Sequence, residues 1–120
     1  SVPHTVKSNL KYTLMIRQPP FLTPELFDRF LAETKRKKPN PFLDRARLVD
    51  MAEGLCCQML HVGSYDDEPA SFRAMEAYCL ENGFRRAELT HREIYLSDPR
   101  KTAPEKLKTV LRFKAAPADG

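Results

Sequence analysis

Three polar side chains of unlike chemistry stand two residues apart in the stretch HREIYL: His91, Glu93 and Tyr95. An extended strand sends alternate side chains to opposite faces. These three therefore share one face, and Arg92, Ile94 and Leu96 share the other. A carboxylate flanked on its own face by an imidazole and a phenol can bind a cation or accept a proton. The same pattern also suits the wet face of an ordinary sheet, with Glu93 paired to a lysine or arginine and His91 as a structural hydrogen-bonder. The elements that carry the triplet have to separate the two readings.

The chain has 120 residues, the length of one domain. That is enough to bury a core without disulfides or a structural metal. A composition of 42% hydrophobic and 30% charged residues is that of a globular protein. No apolar run approaches the roughly 18–20 residues that span a bilayer, and no signal-peptide pattern opens the sequence. Ser in place of Met at position 1 suggests a trimmed or engineered start. Cys56, Cys57 and Cys79 are odd in number and lack metal spacing. They are expected to be reduced thiols in a cytoplasmic protein that holds no metal and no cofactor.

The net charge is +4, and Lys35, Arg36, Lys37 and Lys38 are consecutive. No aromatic platform or recognition-helix motif accompanies them. The run reads as a helix C-terminus whose cations complement the dipole, and direct nucleic-acid binding is not expected.

Working along the chain, residues 1–10 read as a loose arm. KYTLMIR, from Lys11 to Arg17, alternates as a strand and stops at Pro19-Pro20. Thr23-Pro24-Glu25 starts a helix, with Leu26, Phe27, Phe30 and Leu31 as its stripe and Pro39-Asn40-Pro41 as its end. Arg45–Met51 and Leu55–Val62 are expected as two strands joined by a Glu53-Gly54 hairpin turn. Neither face of Leu55–Val62 is strongly polar, which predicts a central strand covered on both sides.

After a loop from Gly63, with Asp66 or Asp67 as a cap, a helix is expected over Pro69–Asn82. Its buried stripe is Phe72, Met75 and Cys79, and Asn82-Gly83 is its stop. Phe84–Leu89 is a connector or short strand. The His91–Leu96 strand follows, then a capping-box turn at Thr102–Glu105 and a last strand at Thr109–Lys114. The order strand–helix–strand–strand gives an α+β fold, an antiparallel sheet with a helix on one face. The other face needs a cover.

Three passages resemble the GyrI-like small-molecule-binding family: KYTLMIRQPPFLTPE, EGLCCQMLHVGSYDDEPASFRAMEAYCLENG and HREIYLSDPRKTAPEKLKTVLR. The last is similar to the C-terminal signature of its stand-alone branch. The family includes gyrase-inhibitory proteins and effector-binding domains of multidrug-sensing regulators. The resemblance implies two strand–helix–strand–strand repeats around a cleft. This chain matches the end of the first repeat and connecting helix (11–44) and the whole second repeat (45–114), followed by a tail (115–120). Most of the first repeat has no counterpart: either the protein is naturally short or the chain is a fragment, and a homodimer is one way to complete the cleft.

The resemblance further implies roles. Glu93 matches the cleft glutamate that contacts ligand cations, with Tyr95 beside it to stack or hydrogen-bond. Met59, His61 and Tyr65 are candidate cleft-lining residues, each with a plain structural alternative. The implied function is binding of planar hydrophobic, often cationic, small molecules, for sequestration or sensing. Some stand-alone members resembling this chain hydrolyse cyclopropane-bearing DNA-alkylating natural products. In that case Glu93 is the general base, its pKa raised by desolvation, and Tyr95 its positioning partner. A gyrase-inhibitory interaction module is the third reading.

Overall fold

The computed structural model describes residues 12–119. The expected arm at residues 1–10 lies outside them. Two compact units divide at residues 52 and 53.

In the first unit, α1 spans Pro24–Lys37. Thr23 caps it by accepting a hydrogen bond from the Leu26 backbone N–H at 3.2 Å, and Pro24 fills the first helical position. Its last turn carries Lys35, Arg36 and Lys37, and Lys35 meets Asp44 at 2.9 Å. Pro41–Arg45 is a 3-10 turn capped by the Asn40 side chain. Neither strand expected on this side forms: residues 12–17 and 46–51 are irregular. Alternation supplies a face but no ladder, and a strand needs hydrogen-bonding neighbours.

The second unit holds the four-stranded antiparallel sheet. Its strands are β1 (Cys56–Val62), β2 (Phe84–Arg86), β3 (Arg92–Tyr95) and β4 (Lys108–Pro117), with α2 (Glu68–Glu81) between β1 and β2. β4 is the hub. β1 pairs with it along one edge, and β3 and then β2 pair along the other. This is the expected strand–helix–strand–strand order, with β2 as a short extra strand.

Three differences have clear causes. β1 was expected to be central but lies at the sheet edge, with Leu60 47% and Val62 56% exposed. Gly54 does adopt a positive φ of 70°, yet among the described residues no strand precedes it to make a hairpin. β4 runs to Pro117, where a tail was expected from Ala115, because β2 pairs with residues 115–117.

Directly paired residues in an antiparallel ladder point to the same face. One face therefore carries the rows Met59–Leu111–Glu93 and His61–Thr109–Tyr95. The other carries Gln58–Arg112–Arg92 and Leu60–Val110–Ile94. α2 covers the first: Phe72, Met75 and Cys79 pack with Leu111 and Phe113 as the core. Arg86 seals that core, its guanidinium 5.2 Å from the Phe72 ring centre and 4.8 Å from that of Phe113, while it donates to Glu76.

Candidate functional site

Glu93 thus lies on the helix-bearing face of β3, an edge strand paired only with β4 among the described residues. The core row beneath it ends at Leu111, which is fully buried. The polar end of the same interface is built by the chain between β1 and α2. Gly63, with a φ of 128°, turns the chain there and donates its N–H to the Leu107 carbonyl. Ser64 accepts from the Asp66 backbone N–H and caps a 3-10 turn over Tyr65–Asp67. Asp67 occupies the N-cap of α2 but makes no side-chain cap bond. The next residue, Glu68, turns inward and is 8% exposed.

These segments bring together four side chains. Tyr95 donates its hydroxyl to Glu93 Oε2 at 3.2 Å. The rings of Tyr65 and Tyr95 meet edge-on, with centres 5.8 Å apart. Glu68 is a hydrogen-bonding neighbour of Glu93. His91 borders the group: Nε2 lies 4.0 Å from Glu93 Oε1, and its ring stands edge-on to Phe72 at 4.6 Å. Thr109, 1% exposed, lies in the row between His61 and Tyr95.

The electrostatics follow from burial and like charge. Burial, then the hydrogen bond and charge of Glu93, push the Glu68 pKa up to about 9. It is a neutral acid at pH 7. Partial burial, then the Glu93 charge, push Tyr95 up to about 12, so it remains a phenol. Burial raises Tyr65 as well, followed by the charges of Glu68, Glu93 and Asp98. Among the described residues no lysine or arginine pairs with Glu68 or Glu93.

Of the residues singled out in the sequence, Glu93, Tyr95 and Tyr65 come together. Met59 and His61 share their face but lie on β1, across β4. His61 is 4% exposed, with Nε2 2.8 Å from the Ser64 carbonyl and Nδ1 2.7 Å from Ser71 Oγ. A carbonyl only accepts, so Nε2 carries the proton and Nδ1 accepts the Ser71 hydroxyl. The ring ties β1 to the start of α2. Met59 is 38% exposed.

Sequence reasoning missed Glu68. An acid in the first turn of a helix reads as a solvated complement to its dipole, and nothing in the spacing turns it inward. Among the described residues no cluster of His, Cys, Asp and Glu is arranged to hold a metal ion. No helix there is long and apolar enough to cross a membrane.

Two solved structures from Listeria innocua share this arrangement. An uncharacterized conserved protein is 40% identical, with a TM-score of 0.78 over 83% of this chain and 50% of its own. A hydrolase is 38% identical, with a TM-score of 0.75 over 83% of this chain and 52% of its own. The chain thus spans about half the length of the solved relatives it matches. No curated protein matches it. The model of the GyrI-like small molecule binding domain matches residues 6–114. With that match over most of its length, the chain belongs to the GyrI-like small-molecule-binding domain family.

Proposed function

We propose that the chain binds a planar, hydrophobic, cationic small molecule at the Tyr65–Tyr95 edge, with Glu93 as its counter-ion. One observation carries this reading: Glu93 is about a quarter exposed and has no lysine or arginine partner among the described residues, yet stands beside two tyrosine rings. A carboxylate that no lysine or arginine neutralises, in a partly dehydrated aromatic setting, attracts a delocalised cation, because Coulomb attraction grows as the local dielectric falls. The rings supply flat apolar area. A second copy of the chain would close the open side over the ligand.

Titration with ethidium, followed by fluorescence, tests the reading. Glu93→Gln keeps the shape of the side chain and removes its charge. It should weaken binding roughly 10–100-fold, the worth of one charge-assisted contact. Unchanged affinity in a folded variant would remove Glu93 from the cation site.

A hydrolytic reading is favoured by the solved relative that is a hydrolase. In that reading Glu93 takes a proton from water as the water oxygen bonds to a cyclopropane carbon of a DNA-alkylating natural product. The ring bond breaks and its electron pair moves into the conjugated dienone. Tyr95 positions the carboxylate. Incubation with such an alkylator, followed by mass spectrometry, should show gain of one water in the wild type and little in Glu93→Gln. Equal ring opening by both sinks the assignment.

A further inference from the structure

The site holds two carboxyls whose surroundings force them into different protonation states. Glu68 opens α2, is 8% exposed, and has an Oε2 that no donor among the described residues reaches. Its hydrogen-bonding neighbour is the Glu93 carboxyl. Two ionised carboxylates offer only acceptors to each other, so the contact requires a proton on one of them. The more buried member, Glu68, is the one that keeps it.

Other groups among the described residues face the pair. From the β3 stretch come Tyr95, whose hydroxyl already donates to Glu93, and His91 at 4.0 Å. The 3-10 turn contributes Tyr65, with Asp66 and Asp67 exposed beside it. β1 contributes His61, both of whose ring nitrogens are engaged by Ser71 and Ser64. On β2, Arg86 is engaged by Glu76 and by the carbonyls of Glu88 and Leu89. Asp98 lies within electrostatic reach of Tyr65.

We propose that Glu68 and Glu93 share one proton, and that the site exchanges this proton for positive charge when a cation binds. The inference rests on the cation-binding reading and adds to it a rule for ligand charge. With the proton in place the pair carries one negative charge and matches a monocation. A second positive charge on the ligand favours release of the proton to solvent, and the pair then carries two. No covalent bond other than the O–H changes. Without ligand the proton is held up to about pH 9. Cation affinity therefore rises with pH toward that value and levels off above it, where no proton remains to be displaced.

Ethidium and propidium test this, because they share a ring system and carry one and two fixed positive charges. Their affinities for the full chain are measured by fluorescence from pH 6.5 to 9.5. Proton release is measured calorimetrically at pH 8 in buffers of different ionisation enthalpy. For propidium the affinity should rise by up to about tenfold per pH unit below pH 9, with net proton release. Ethidium should show a shallower slope. Glu68→Gln keeps an N–H donor toward Glu93 but has no proton to lose, so slope and release should vanish whatever its absolute affinity.

Proton release that persists in Glu68→Gln overturns the exchange, as does pH-independent propidium binding by the wild type. Failure of the folded wild type to bind either dye at any pH overturns the cation-binding reading itself, and the exchange with it. Carbon-13 NMR titration of the glutamate carboxyls reads the shared proton without a ligand. Glu68 should titrate far above the ordinary carboxylate range and move down in Glu93→Gln. Titration of wild-type Glu68 in the ordinary range would disprove the sharing.

Discussion

Glu53 and Glu93 make a natural pair for comparison, because they have similar exposure and opposite company. Their side chains are 19% and 26% exposed. Glu53 Oε1 accepts from Arg92 Nη1 at 2.7 Å and from Arg112 Nη1 at 2.8 Å. Arg112 also donates to Gln58 at 3.0 Å. Arg92 and Glu93 are adjacent in sequence, and the pleat sends them to opposite faces of the sheet. On one face a carboxylate is neutralised twice over by guanidinium groups. On the other its neighbours are a phenol, an imidazole 4.0 Å away and, in the reading proposed above, the proton of a second acid. A fold that only had to satisfy Glu93 could have used arginine there too. In the reading proposed above, compensation by a proton leaves the negative charge available to a ligand.

The largest expected effect comes from removing that proton with base. Glu68 has an ordinary pKa of 4.5 in the unfolded chain and about 9 in the folded one. Between those values the folded state holds a proton that the unfolded state has released. Stability contributed by this group is therefore fully present below pH 4.5 and lost as pH rises through about 9. Thermal unfolding should show the wild type becoming less stable from pH 5 to pH 9, on the order of several kcal/mol. Glu68→Gln should flatten that dependence. A variant as pH-sensitive as the wild type would mean that the charge on Glu93 is compensated by something other than Glu68.

The next effect tests the other face. Glu53→Gln leaves Arg92 and Arg112 converging on a neutral amide, two partly buried cations without their shared counter-ion. Breaking such a pair costs about 2–3 kcal/mol once its partial exposure is allowed for. That corresponds to a fall in melting temperature of roughly 10–20 °C. Ethidium affinity should stay as it is, because Glu53 lies on the face away from the tyrosines. A Glu53→Gln variant that unfolds normally but binds poorly would erase the distinction between the two carboxylates.

How much of this was legible in the sequence depends on the range of the interaction. Local signals held: the Thr23-Pro24 helix start, the Phe72–Met75–Cys79 stripe, and the Asn82-Gly83 stop, where Gly83 has a φ of 82°. The alternation of residues 91–96 correctly separated Glu93 and Tyr95 from Arg92 and Ile94. What alternation cannot say is which face the helix covers or which strand lies alongside. Residues 12–17 and 46–51 have strand-like patterns and form no ladder among the described residues. Leu55–Val62 reads as central because neither of its faces is strongly polar, yet among the described residues it is an edge. Glu68 was invisible for the same reason. Its role is set by a strand 25 positions further on, at Glu93, and a helix's first-turn acid is ordinarily solvated.

The smallest expected effect separates the two readings of Glu93 most cleanly. Tyr95→Phe removes only the hydroxyl, leaving the ring at the Tyr65 edge. At 3.2 Å its hydrogen bond to Glu93 is long for an O–H donor, whose usual distance is about 2.7–2.8 Å. Tyr95 is also 56% exposed, so water can replace the lost donor. The bond is therefore worth about 0.5 kcal/mol, roughly a twofold change in ethidium affinity. If Glu93 serves only as a counter-ion, that small change is all the hydroxyl does, because a cation needs charge nearby and tolerates a loosely held carboxylate. If Glu93 must hold an attacking water in line with a ring carbon, orientation matters far more than charge, and losing the hydroxyl should slow ring opening well beyond twofold. Matching small losses in binding and turnover would leave Tyr95 as a stacking ring and remove its positioning role.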